Sequence, residues 1–484
     1  MTQPAGPEIE QREATNVGSS KGPHDEERRR SRVELTIERW AHRLSDYFGV
    51  TQLIALVIFV GLIFIPPFLS EPPESATAFD HFTEFANLVL WGIWFPLVLL
   101  SVILVGRLWC GLLCPQGAVS EWASRIGLHR PAPAWMRWEG TPIVSFVVIT
   151  VLGQTLGVRD HPEAVLELFG GTMLGALVVG LIYGYRQRIW CRHLCPIGLL
   201  LGIFSRLGAV HFAFPRRRPG GDRYADKGIC PTLINIRYKA ESRHCIECFK
   251  CVKPEARGSV RMTLRRPGEE VEAIQHYNPN FYESMFLFVG TGIALGGFLW
   301  LTLPQYHDFR SAIGNWFFDR EWFWIGESGP AWLMSVHPQR AEVFTWVDFF
   351  SIIGFMLGVM AALALLLLAL TALSAWLAHR LGGQRTLRQG FVELSYQYTP
   401  VAMISLILGL GGVLFEGLGQ LGLSADQIGL LKMAIFALAF FWSVFLGDRV
   451  LLRQGLRSKS RWLALSPGVV GTLVIGAAWG QALF

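Results

Sequence analysis

The chain has 484 residues, of which 51% are hydrophobic and only 17% charged, with a mean hydropathy of +0.36. A soluble protein of this length needs more charge to cover its surface, so the composition excludes an ordinary soluble domain and points to a membrane. The net charge is +6, yet residues 186–282 alone hold eighteen Lys and Arg against eight Asp and Glu. In a segment tied to the bilayer, that excess reads as a topology signal and as attraction to anionic headgroups. A docking face for an acidic redox partner is the sharper alternative, and nucleic acid is not an expected partner.

Residues 1–31 are polar and rich in Glu, Arg, Gly and Ser, the composition of a disordered tail. From Val33, the residues Ile37, Trp40, Leu44 and Tyr47 fall at helical spacing, which predicts an amphipathic helix on the membrane surface. Nine apolar runs follow, near 50–69, 87–106, 141–157, 168–185, 283–303, 346–377, 400–418, 427–447 and 462–482. About 20 apolar residues span a bilayer as a helix, so the third run is short and the sixth is long enough to tilt. The first run lacks a small-residue cleavage site and reads as an uncleaved anchor. The expected fold is an all-α polytopic membrane protein of about nine transmembrane helices with a small cytoplasmic segment, ferredoxin-like in the C-x2-C-x2-C spacing of Cys245, Cys248 and Cys251. Its expected divisions are a cytoplasmic tail (1–47), an N-terminal transmembrane core (48–208), the cluster segment (209–282) and a five-helix transmembrane region (283–484).

Orientation follows from Lys and Arg in the connecting loops. Segments 71–86 and 417–427 contain none, and 158–167 contains Arg159 alone. The alternate loops carry Arg107, Arg125, Arg130 and Arg137, then Arg380, Arg385 and Arg388, then Arg449, Arg453, Arg457, Lys459 and Arg461. This alternation predicts an inner-membrane protein with its N-terminus and cluster segment in the cytoplasm and its C-terminus outside.

The most informative feature is an internal repeat. Trp109, Cys110, Cys114, Pro115 and Gly117 recur 81 residues later as Trp190, Cys191, Cys195, Pro196 and Gly198. Ser124-Arg125-Ile126-Gly127 recurs as Ser205-Arg206-Leu207-Gly208 at the same offset. Each copy follows an outward-to-inward run, and parallel repeats of this kind are related by an axis along the membrane normal. Such an axis brings both motifs to one cytoplasmic mouth.

All eight cysteines fall between residues 110 and 251. Structural disulfides are disfavoured in the cytoplasm, so clustered cysteines there read as metal ligands or redox groups. Cys245, Cys248 and Cys251 have the C-x2-C-x2-C spacing of a ferredoxin loop, in which thiolates in a tight turn grip the irons of one cubane. The position after three intervening residues, where the fourth cysteine normally stands, is Glu255, so Cys230, followed by Pro231, is the expected fourth ligand. Zinc, a three-iron cluster and ligation by His244 are the alternatives. The paired C-x3-C-P motifs place cysteines on one face if the helix continues, with each proline starting a new helix. Two such pairs on a pseudo-two-fold axis make a four-thiolate cage, which fits a second [4Fe–4S] cluster, a pair of dithiol/disulfide switches or a Cu(I) site.

On these motifs, the chain resembles the membrane-bound polyferredoxins of the NapH, NosR and CcoG type over roughly residues 87–260. The resemblance implies a [4Fe–4S] protein that passes electrons between a quinone pool or cytoplasmic donor and a reductase, or that maintains a metalloenzyme. Two complete four-cysteine ferredoxin motifs are frequent in that family, whereas this chain has one incomplete run plus Cys230. The flavin-binding domain of the NosR branch has no counterpart before the first run, and the five C-terminal runs lie outside the resemblance.

No histidine lies well inside an apolar run and no C-x-x-C-H occurs, so haem is not expected. His193, between Cys191 and Cys195, reads as an interfacial histidine or as one that tunes a metal. Glu416 and Lys432 near the outer ends of runs seven and eight read as a pair, as snorkelling side chains, or as a proton or quinone site. The aromatics Trp316, Phe317, Phe318, Trp322, Phe323, Trp324 and Trp332 read as an interfacial belt. The leading expectation is an electron-transfer subunit, probed by iron content. The alternatives are a metalloenzyme assembly or copper-handling factor and a redox-sensing transporter.

Overall fold

A computed structural model describes residues 32–73, 76–213, 230–236, 239–254, 260–340 and 342–483. The polar tail 1–31 and the Glu255 position fall outside these residues. Among the described residues, eight helices are long and apolar enough to cross a membrane: Phe48–Phe68, Phe82–Val105, Pro162–Ile182, Phe281–Thr302, Trp346–Arg380, Leu387–Leu410, Ala425–Arg453 and Ser458–Gln481. The third expected span is instead the 15-residue helix Thr141–Thr155, about 22 Å long at 1.5 Å per residue. Its first turn nonetheless stands beside Cys191, while Arg159 and His161 just after it share a cavity with Glu71 and Glu84 at the far end of the bundle. The run expected at 400–418 begins earlier, at Leu387, and its helix breaks at Gly411 before resuming over Gly412–Gln420.

Apolarity on all sides sends the outer helices to lipid, but Leu387–Leu410 is almost wholly enclosed by protein and forms the centre of the C-terminal bundle. Phe281–Thr302 lies against Trp346–Arg380 because Gly292 and Gly296 leave no side chain between the backbones. A Cβ at either glycine would stand 2.9 Å from the backbone of Met360 or Met356, the close approach that small residues four apart permit.

The cluster segment is pinned between the two halves. Strand β1 (Val210–Ala213) pairs antiparallel with β2 (Arg261–Leu264), His211 opposite Thr263, over a core of Phe212, Ile236, Phe249, Val252 and Met262. The helix Arg32–Leu44 covers β2 with its acidic side. The Met262 N–H donates to Glu38 at 2.7 Å and the Leu264 N–H to Glu34 at 2.9 Å, so carboxylates satisfy strand donors that would otherwise be unpaired. The apolar residues Val33, Ile37, Trp40 and Leu44 are left exposed on the same helix, and Tyr47 in the turn that follows, as the amphipathic pattern predicts for a surface helix.

A second clamp is ionic. Arg206, fully enclosed, donates to Glu283 at 2.8 and 3.1 Å, to Glu270 at 2.8 Å and to the Tyr277 carbonyl. Tyr396 donates to Glu283 at 2.6 Å, so one network joins the second repeat, the cluster segment and the C-terminal bundle.

Candidate iron–sulfur sites

The two repeat copies share one backbone. Leu108–Leu112 and Ile189–His193 are five-residue helices that begin right after Arg107 and Arg188. Each stops at a leucine, Leu113 (φ −121°, ψ −17°) and Leu194 (φ −120°, ψ −31°). The next residue is extended, Cys114 (φ −65°, ψ 114°) and Cys195 (φ −59°, ψ 119°), and proline opens the following helix. The helix therefore does not continue through the motif. The first cysteine lies in a short helix and the second occupies the N-cap of the next, where free backbone N–H groups and the helix dipole favour an anionic sulfur. The N–H groups of Gln116 and Gly117 lie near the Cys114 thiol, and that of Gly198 lies near the Cys195 thiol while donating to the Cys195 carbonyl at 3.1 Å. The span before each motif also carries a π-helical stretch, Leu88–Trp94 and Leu166–Gly170, a feature frequent at functional sites.

The copies interlock through their arginines. Arg188 of the second copy lies against Gly117 of the first, and Arg107 of the first against Gly198 of the second; an added Cβ would stand 2.9 Å and 3.7 Å from the respective guanidinium. This exchange is the pseudo-two-fold relation expected of the repeat. It brings Cys110, Cys114, Cys191 and Cys195 to one cavity of about 260 Å³, whose remaining wall is largely aromatic and aliphatic and reaches Gln154 and Arg159.

The other four cysteines form a second site. Cys230, Cys245, Cys248 and Cys251 line a common cavity in the cluster segment, whereas His244 faces a cleft beside Cys191 and His193. Within the Cys245–Cys251 loop, Glu247 (φ 53°) and Phe249 (φ 56°) adopt the left-handed conformation. Such alternation turns successive N–H groups inward to make an anion-binding concavity. The Glu247 N–H reaches the Cys245 sulfur and the Lys250 N–H reaches Cys248. Burial pushes the Cys245 thiol up to about 12 and Cys251 well above the ordinary range. These thiols are therefore protonated at neutral pH until a metal takes the place of the proton. Burial likewise pushes the Glu247 carboxyl up to about 8, against the pull of Lys239, Arg265 and Arg107. His193 is held down to about 4 by burial and by the charges of Arg192 and Arg137.

All eight cysteines are free thiols. Among the described residues, no three Cys, His, Asp or Glu side chains converge closely enough to grip a single ion. A mononuclear tetrahedral site holds its sulfurs about 2.3 Å from the metal, whereas a cubane interposes irons and sulfides and takes wider-set ligands. Four thiols in each set, with backbone N–H groups near the sulfurs, match the donors that hold an iron–sulfur cubane.

The two sites touch. Gly111, between Cys110 and Cys114, lies on the Ile246 carbonyl and 3.1–3.2 Å, measured from an added Cβ, from the Cys248 backbone. Arg188 donates from its backbone to the Pro231 carbonyl at 2.7 Å and from its side chain to the Cys110 carbonyl at 2.5 Å and to Glu121 at 2.8 Å. Lys250 donates to Glu121 at 2.5 Å. Sequence reasoning missed Arg107, Arg188 and Glu121 as parts of the site. The arginines were detectable, because they too stand 81 residues apart, each two residues before the tryptophan of its repeated motif. Glu416 and Lys432 stand apart from the cysteine cavity, and no ion pair joins them. Glu416 is exposed, and the Lys432 ammonium lies 5.1 Å over the Phe415 ring.

The fold and these sites describe a chain with helices apolar enough to cross a membrane and two sets of four thiols of the kind that hold iron–sulfur clusters. A family model described as a 4Fe-4S binding domain matches residues 87–133 and 168–217, blocks that contain Cys110, Cys114, Cys191 and Cys195 and stop before Cys230. The chain is similar to the ferredoxin-type protein NapH of Escherichia coli (24% identical, covering 30% of this chain and 58% of NapH). It is similar also to the methylamine utilization ferredoxin-type protein MauN of Methylorubrum extorquens (27%, covering 25% and 46%). An uncharacterized protein of Methanocaldococcus jannaschii shares 26% identity over 34% of this chain and 67% of its own. The chain therefore spans between about half and two thirds of the length of these relatives. No solved structure matches it.

Proposed function

We propose that the chain is a two-cluster electron-transfer protein, with one [4Fe–4S] cluster on Cys230, Cys245, Cys248 and Cys251 and a second on Cys110, Cys114, Cys191 and Cys195. The observation that carries this reading is the convergence of both repeat motifs on one cavity directly against the ferredoxin loop. Each cluster supplies a one-electron carrier. The residues do the rest: the N-cap amides and the Glu247–Phe249 turn direct N–H groups at the sulfurs, and Gly111 lets the two sites approach backbone to backbone. Electrons then pass between a cytoplasmic donor or the quinone pool and a reductase partner.

Two further features support this reading. The cleft lined by Arg137, Arg192 and Arg243 beside Cys191 is basic and suits an acidic donor protein. The apolar wall of the repeat-motif cavity, with Trp91, Trp94 and Phe169, suits a quinone ring. Glu416 and Lys432, the other quinone or proton site considered, lie outside that cavity. The basic loops at the cysteine end support a cytoplasmic location for both sites in a bacterial inner membrane.

Iron and acid-labile sulfide on anaerobically purified protein test the proposal. About eight irons per chain, falling to about four in Cys110→Ser/Cys191→Ser, is the expected result. About four irons unchanged by those substitutions moves the repeat motifs to a thiol or copper-handling role, and well-folded protein without iron overturns the reading.

A further inference from the structure

Arg107 and Arg188 are equivalent in the repeat, yet only one of them has a counter-ion. Arg188 is 1% exposed at its side chain and bonded to the Glu121 carboxylate at 2.8 Å. Arg107 is 3% exposed, and its Nη1 donates to the neutral Arg243 carbonyl at 2.7 Å. Its Nη2 lies 3.9 Å from the Cys110 sulfur, and its buried Nε has no partner. Among the described residues, no carboxylate stands within ion-pair distance of Arg107, Glu247 included. A guanidinium does not shed its proton, and a buried charge without an ion-pair partner costs several kcal/mol, so negative charge in the cavity it faces would offset that cost. The groups that face it there are the thiols of Cys110, Cys191 and Cys195. Gly198 and Gly202, without side chains, leave the groove in which the guanidinium lies, 3.7 and 3.6 Å from where a Cβ would stand.

We infer that Arg107 is the fixed counter-charge of an anionic cluster held by Cys110, Cys114, Cys191 and Cys195, and that it sets the reduction potential of that cluster. This rests on the two-cluster reading. Reduction adds one electron to the cluster with no bond made or broken, so the reduced state carries one more negative charge and benefits more from the guanidinium. Arg188, already neutralised by Glu121, contributes less. Arg107 is thus a positioning residue for charge rather than a ligand, and its effect is confined to one of the two clusters.

The test is a dithionite titration of the full chain followed by EPR, together with iron and sulfide counts, on wild type, Arg107→Gln and Arg107→Lys. The cluster of the repeat motifs is identified as the signal lost in Cys110→Ser/Cys191→Ser. In Arg107→Gln that signal shifts to more negative potential or disappears with about four irons. In Arg107→Lys it stays near the wild-type potential, and the other cluster is unchanged in both. A wild-type potential in Arg107→Gln at full iron content overturns the inference while leaving the two-cluster reading intact. Loss of both clusters from the Gln and Lys variants alike marks a purely structural role and also overturns it. Wild-type protein whose iron is indifferent to Cys110→Ser/Cys191→Ser overturns the two-cluster reading itself, and the inference with it.

Discussion

Gly111 rests directly on the carbonyl of Ile246, so the first repeat motif and the ferredoxin loop meet backbone to backbone. The equivalent position in the second motif is Arg192, which faces a cleft instead and tolerates a long side chain. Gly111→Ala places a methyl group into that carbonyl and near the Cys248 backbone, neither of which can move without displacing the loop. It is expected to destabilise the protein by roughly 1–3 kcal/mol and to lower iron content. Gly429→Ala, in a helix with open space around it, is expected to be neutral or to stabilise by about 0.5–1 kcal/mol. Thermal unfolding in detergent with iron analysis checks both.

The Glu121 carboxylate joins Arg188 of the repeat to Lys250 of the ferredoxin loop. Burial alone raises its pKa, but Arg188 and Lys250 outweigh that and hold it down to about 2, against an ordinary value of 4.5. A depressed carboxylate contributes stability above the unfolded value and loses it as pH falls through the folded one. Its contribution is therefore complete above 4.5 and vanishes on acidification towards 2. Glu121→Gln leaves Arg188 buried without its partner, at a cost of about 3–5 kcal/mol at neutral pH. Unfolding midpoints of the two proteins are expected to converge between about pH 4.5 and pH 2; a constant gap across that window overturns the assignment.

Arg206 and Arg125 hold the same place in the repeat but different places in the fold. Arg206→Met removes the arginine shared by Glu270 and Glu283, which keep Arg265 and Arg243 respectively, and is expected to cost about 1–3 kcal/mol and to loosen the cluster segment from the C-terminal bundle. Arg125 is 52% exposed at its side chain and pairs with Glu121 within one helix, so Arg125→Met is expected to cost about 0–1 kcal/mol. Limited proteolysis within 209–282, with thermal unfolding, separates the two outcomes.

Cys230 lines the cavity of the ferredoxin loop and His244 does not. Cys230→Ser is expected to lose or convert the cluster of that loop, with a changed EPR signal. His244→Ala is expected to keep about four irons there. The reverse pattern makes the histidine the fourth ligand.

The cysteine chemistry was legible in the sequence because it is written in spacing. C-x2-C-x2-C, the 81-residue offset of the C-x3-C-P motifs and the apolar runs are one-dimensional patterns, and each corresponds to an element found in the fold. The grouping of Cys230 with the ferredoxin loop was legible too, by elimination among so few cysteines. Element limits were less so. The helix Thr141–Thr155 is shorter than a full span, and the run at 400–418 breaks at Gly411, because neighbouring helices rather than apolarity decide where a helix inside a bundle ends.

Tertiary structure decided what identical motif positions do. Arg107 and Arg188 are indistinguishable by local sequence, and so are Arg125 and Arg206. Yet within each pair one guanidinium has a carboxylate opposite it and the other does not, or one is enclosed and the other faces outward. The helix Arg32–Leu44 similarly turns its glutamates inward, where they accept from the N–H groups of Met262 and Leu264 in the strand beside it. The sequence alone determined the membrane class, the repeat and the spacing of the cysteines, since these follow from composition and periodicity. The charge balance around those sulfurs depends on which distant element each side chain meets, and only the packed structure brings those elements together.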